Sequence, residues 1–153
     1  MQAVWTNIYM EENNKLFIDS NFFIALHNPQ DTLYIRAKKI ANKIERNKIK
    51  LFASNFIFLE TVTVLSQRSV KETAITAGKK LLMEDYCTMV NVDKDLQHKS
   101  WLIFQEIKRK NISFVDCSIL TVMRYMGIKK LLTFDTADFA GLRRKYSFNF
   151  YAK

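Results

Sequence analysis

Four acidic residues of this 153-residue chain stand where acids are costly. Asp19 lies between Leu16-Phe17-Ile18 and Phe22-Phe23-Ile24, and Asp135 follows Leu131-Leu132-Thr133-Phe134. Glu60 is the only charge between Phe56 and Leu65, and Asp116 is alone among Ile112, Phe114, Val115, Ile119 and Leu120. A buried, unpaired carboxylate is strongly unfavourable, and no basic residue adjoins any of these acids. Taken singly, each has a structural explanation. Asp116 could start a helix and gain about 0.3–1 kcal/mol from its dipole, Glu60 could point outward, and Asp135 could begin a turn. Taken together they call for a shared cation, and all-oxygen ligation suits Mg²⁺ or Mn²⁺. His27 and His98 match no zinc spacing, and Ser20, with no base nearby, reads as a turn or cap hydroxyl. Gly-rich phosphate loops, G-x-S-x-G elbows and Cys/His nucleophile patterns are absent.

The elements that must hold these acids follow from periodicity. Short apolar strands are expected at Lys15 to Ile18, Leu51 to Ala53, Cys87 to Val92, Lys130 to Phe134 and Phe148 to Tyr151, with a further apolar run at Phe22 to Leu26. Between them, Leu33, Ala37, Ile40, Ala41 and Ile44 share one helical face, and Ser54 or Asn55 caps a helix over Phe56 to Leu65. Ser69 with Glu72 has capping-box spacing for a helix to about Met83, and Asp93 or Asp95 opens one through Trp101, Phe104 and Ile107. Ser113 with Asp116 repeats that spacing, and Gly127 ends the helix it opens. Strands alternating with helices predict a three-layer α/β/α fold with a mainly parallel central sheet. Ligands of such sheets sit beyond the carboxyl ends of the strands, where Asp19 and Asp135 fall.

The segments "LFIDSNFFIAL", "SNFIFLETVTVL" and "ISFVDCSILTVMRYMGIKKLLTFDTADF" resemble the acidic motifs of PIN-domain nucleases, including the VapC-type toxins. The resemblance runs from about Lys15 to the C-terminus, leaving residues 1–14 as an N-terminal extension to one PIN-like domain over 15–153. It implies an Mg²⁺- or Mn²⁺-dependent endoribonuclease with Asp19, Glu60, Asp116 and Asp135 as metal and catalytic acids. Asn21 and Thr133 would support the metal site, and Asp138 is a further acid there. An antitoxin partner and a homodimer are also implied, the latter aided by Trp5, Tyr9, Phe148, Phe150 and Tyr151 if these form exposed patches.

Composition agrees with this reading. Twenty-four Lys and Arg against 15 Asp and Glu give a net charge of +9, which favours a polyanionic partner such as RNA. Lys108-Arg109-Lys110, Lys129-Lys130 and Arg143-Arg144-Lys145 are candidate phosphate contacts, while Phe22, Phe23 and Trp101 read as core. No apolar stretch reaches the roughly 20 residues of a membrane span, no signal peptide is visible, and a cytoplasmic protein is expected. Cys87 and Cys117 sit in apolar runs as small core residues. Two other classes compete: a non-catalytic PIN-like RNA-binding module, which would lack one of the acids, and an Mg²⁺-dependent phosphatase, which would need a D-x-D loop where this chain has Asp19-Ser20-Asn21.

Overall fold

The computed structural model describes residues 14–151. Strands β1 (Lys15–Ile18), β2 (Lys50–Ser54), β3 (Cys87–Val90), β4 (Lys130–Leu132) and β5 (Asn149–Phe150) form one sheet. All pairings are parallel, in the order β3-β2-β1-β4-β5. Leu16, Phe17 and Ile18 of the central strand are fully buried, as are Leu131 and Leu132 beside them. A parallel strand covered on both faces reads as an unbroken apolar run, which is the pattern these segments carry.

The helices are α1 (Ser20–His27), α2 (Tyr34–Arg46), α3 (Asn55–Arg68), α4 (Lys71–Leu81), α5 (Lys94–Glu106) and α6 (Phe114–Met126), followed by the short α7 (Thr136–Phe139) and α8 (Arg143–Tyr146). They flank the sheet as an α/β fold requires: α1 packs against α2 and α3, α3 against α4, and α5 against α6. The run Phe22 to Leu26 belongs to α1. Ser54 caps α3, Asp93 caps α5, and Ser113 with Asp116 forms the expected capping box, with Gly127 in the left-handed region (φ 67°) at the far end of α6.

Several expectations need correction. Ser69 does not cap α4, because it is already the C-cap of α3, its N–H donating to the Leu65 carbonyl; Val70 starts α4 without a side-chain cap. The aromatic C-terminus is no exposed patch, since Phe148 is buried and packs edge-on against Phe139 and Phe150. Trp101, in contrast, is 47% exposed. Helix α5 buries only Leu96 and Ser100, so its outer rings stack on each other and on Phe114 instead. Cys87 and Cys117 are buried and free, as core residues should be. Trp5 and Tyr9, with the expected extension apart from Asn14, lie outside the described residues.

Sequence order runs outward from β1 to β2 and β3 on one side and to β4 and β5 on the other. The gap between β1 and β4 is therefore the topological switch point, where such sheets open a crevice at their carboxyl edge. Asp19 ends β1, and Asp135 lies just beyond β4.

Candidate active site

A cleft of about 440 Å³ opens at this point, and Asp19, Glu60, Asp116 and Asp135 all line it. Sheet order explains its walls. On the β2 side, α3 presents Glu60, Val64 and Arg68. On the β4 side stand Phe134 and Asp135, and Asp19, Ser20 and Asn21 lie between. Asp116 comes from the first turn of α6. Four elements far apart in sequence thus bring their acids to one place.

Hydrogen bonds hold the two central strand ends together. Asp19 caps α1: its Oδ1 accepts the Ser20 N–H at 2.7 Å, and its Oδ2 accepts the Thr133 hydroxyl at 2.8 Å. The Asn21 amide donates towards Asp19 (3.3 Å), Thr133 (3.1 Å) and Asp135 (3.1 Å), while its oxygen accepts the Phe134 N–H at 3.1 Å. Thr133 Oγ1 in turn accepts the Asp135 N–H at 3.0 Å. Asn21 and Thr133 therefore orient two of the acids. Ser20 has a similar part: its buried hydroxyl donates to Glu60 Oε1 and lies 3.5 Å from Asp19 Oδ1.

Asp138 stands apart. It does not line the cleft; Asn111 Nδ2 donates to its carboxylate at 2.6 Å. Sequence reasoning misses Asp31, Ser20 and Arg68, which do line it. For Ser20 the available signal is adjacency to Asp19 at a helix start, and for Arg68 it is the four-residue spacing Glu60, Val64, Arg68 along α3.

The electrostatics are those of unneutralised acids. Burial pushes the Asp19 carboxyl up to about 7, aided by the charges of Asp116 and Glu60 and opposed by its bonds from Thr133 and Ser20. Asp116 is raised too, first by burial and then by Glu60 and Asp135, against the pull of its bonds with Ser113. Among the described residues no ion pair reaches any of the four; the two present, Lys99–Asp95 and Lys145–Glu106, lie elsewhere.

Carboxylate and hydroxyl oxygens are the donors that Mg²⁺ and Mn²⁺ take, so the set fits a divalent cation chemically. No three His, Cys, Asp or Glu side chains among the described residues cluster tightly enough to hold an ion by themselves. The fit is to an ion held by one or two carboxylates with water completing its shell, which is how Mg²⁺ is usually bound.

An acidic cleft at the switch point of a parallel sheet lies where folds of this kind bind their ligands. The chain belongs to the PIN domain family, whose model matches residues 16–145, and it is a nuclease of that family. It is 29% identical over 126 residues to the 23S rRNA-specific endonuclease VapC20 of Mycobacterium tuberculosis, a match covering 82% of this chain and 92% of that protein. The crystal structure of the M. tuberculosis VapC20, a Sarcin-Ricin loop cleaving toxin, superposes with a TM-score of 0.74 at 27% identity, covering 83% of this chain and 94% of that one. A toxin-antitoxin complex from Klebsiella pneumoniae (TM-score 0.59, 19% identity, 83% and 92% covered) shares the fold. So does VapBC2 from Rickettsia felis bound to a DNA fragment from their promoter, with TM-score 0.59 at 13% identity over 83% and 92% of the two chains. Among the described residues no helix is long and apolar enough to cross a membrane.

Proposed function

We propose that this chain is an endoribonuclease of VapC type, hydrolysing RNA phosphodiester bonds at the cleft with Mg²⁺ or Mn²⁺. The observation that carries the reading is that Asp19, Glu60, Asp116 and Asp135 line one cleft at the switch point and that no ion pair among the described residues neutralises them. When bound, the cation polarises the phosphate and lowers the pKa of water.

Asp19 and Asp116 are the ligands, since both carboxyls are raised by burial and gain most from a counter-charge. Thr133 and Asn21 hold Asp19 in orientation through Oδ2, leaving Oδ1 turned to Ser20. Asp135, fixed by Asn21 and exposed on the opposite wall, and Glu60, fixed by Ser20, are the carboxylates placed to orient and deprotonate the attacking water. Asp138 has no part in the chemistry on this reading; through Asn111 it braces the segment that leads into α6.

RNA cleavage by the purified protein should be abolished by EDTA and restored by Mg²⁺ or Mn²⁺, assayed on a ribosomal RNA stem-loop and on an unrelated single strand. Cleavage that persists in EDTA would overturn the reading. An antitoxin partner, like that in the toxin-antitoxin complex from Klebsiella pneumoniae, belongs to the same reading, as do a homodimer and a cytoplasmic location. Light scattering at tens of micromolar protein should give twice the 18.0 kDa chain mass; a monomer would remove the dimer.

A further inference from the structure

The basic runs conspicuous in the sequence are poorly placed to hold RNA at the cleft. Lys129 and Lys130 stand at the start of β4, the edge of the sheet opposite Asp135. Arg143 donates to Asn149 and lies over Phe150, Lys145 pairs with Glu106, and Arg109 reaches the Asp138 carbonyl. Two isolated arginines are better placed.

Arg68 is the one cation among the described residues that line the cleft. It lies on the same α3 wall as Glu60, eight residues on and so about 12 Å along the helix, and both residues line the cleft. It is exposed and has no ion pair or side-chain hydrogen bond among the described residues, although five carboxylates share its cleft. Arg36 stands at the opposite wall. It lies in the first turn of α2, just after residues 31–33, which line the cleft, and its guanidinium is 5.3 Å from the centre of the Phe134 ring. Phe134 itself lines the cleft and is backed by Phe22, so its face fixes an exposed guanidinium that has no ion pair or side-chain hydrogen bond among the described residues.

β2 and β4 flank β1 on opposite sides, so these two arginines flank the carboxylates. Planar forks of donors suit phosphate oxygens, and an acidic centre repels RNA unless cations hold the chain on either side. We propose that Arg68 and Arg36 are phosphate clamps that grip the RNA backbone on either side of the scissile phosphate, with Phe134 as the positioning residue for Arg36. The proposal rests on the endoribonuclease reading. It requires the RNA to cross the sheet edge from the α3 wall to the α2 wall as a single strand, since a gripped backbone threading a cleft must be free of its complement.

Arg68 also occupies the last turn of α3, where the helix dipole favours a cation. A residue kept only for that role would change the melting temperature and leave RNA affinity alone, so the test reads both. Arg68→Ala and Arg36→Ala should each weaken binding of a single-stranded RNA oligonucleotide in EDTA, and raise KM in Mn²⁺, by roughly tenfold, with kcat within about twofold. Each should reduce the slope of log affinity against log salt by about one, with melting shifted by no more than about 4 °C. Arg68→Lys should recover part of the affinity, and Phe134→Leu should mimic Arg36→Ala in part. Asp116→Asn, measured alongside, should bind and fail to cleave. If both arginine variants bind and cleave as wild type does, or lose kcat at constant KM, the clamp is overturned while the nuclease reading stands. If the wild-type protein neither binds nor cleaves RNA, both fall.

Discussion

Replacing Asp116 by Asn should lower RNA cleavage by roughly a hundredfold or more, while shifting the melting temperature by no more than about 2 °C. The two halves of that result come from different atoms. Asp116 Oδ2 accepts the Ser113 N–H at 2.8 Å, and its own N–H donates to Ser113 Oγ at 3.1 Å. An asparagine keeps an oxygen for the first bond and leaves the second untouched, so the capping box survives. The lost charge removes about 0.3–1 kcal/mol of helix-dipole stabilisation, but it also removes a half-buried carboxylate that Glu60 and Asp135 repel. These effects oppose each other, and stability stays nearly level. Chemistry has no such compensation, because a neutral amide is a weak ligand for a hard cation. Circular dichroism, melting and single-turnover cleavage on the same preparation measure all of it. Activity above a tenth of wild type with normal melting would leave Asp116 as a helix cap only.

Asp116 also shows why the acids are legible in the sequence. A charge isolated in an apolar run is conspicuous in one dimension, because each neighbour argues for burial. β1 and α6 carry their acids at element boundaries, and the same boundary signals, a strand end or a Ser-x-x-Asp box, set the fold. The parallel sheet is legible for a related reason: strands buried on both faces read as unbroken apolar runs.

What stays hidden is what depends on strand order. Nothing local to Arg68 says that α3 borders the same cleft as Asp135; that follows from β1 lying between β2 and β4. Isolated arginines carry no signal beside the lysine and arginine runs, yet none of those runs lines the cleft, and Arg109, Arg143 and Lys145 end on other partners. Asp138 misleads for the opposite reason. Three residues past Asp135 it looks equivalent in sequence, but the short α7 turns its carboxylate to Asn111. Ser20 has no base near it in the chain, and its hydroxyl bond to Glu60 spans 40 positions of sequence.

In the cation-free protein, Asp19→Asn should be more stable than wild type at pH 8, by about 1–3 kcal/mol, and should lose that advantage at pH 5. The Asp19 carboxyl is raised from 3.8 to about 7, chiefly by burial. Because the folded state holds the proton more tightly than the unfolded chain, stability is greatest below pH 3.8 and declines as the pH rises to about 7. That rise of about three pH units corresponds to roughly 4 kcal/mol. Asparagine removes the whole decline. It does not recover the whole of roughly 4 kcal/mol, because Asp19 Oδ2 receives hydrogen bonds from both Thr133 and Asn21. An amide NH₂ in that place faces two donors, which costs about 1–3 kcal/mol, and the difference is the gain expected. Excess Mn²⁺ should reverse the ranking: at about a hundred times its dissociation constant it adds about 2.7 kcal/mol to wild type and much less to the variant. Denaturant melts of both proteins at pH 5 and pH 8, in EDTA and in Mn²⁺, separate the cases. A variant strongly destabilised at pH 8 in EDTA, beside a wild type indifferent to Mn²⁺, would mean that Asp19 is held for its cap on Ser20 and its bond from Thr133, not for a cation.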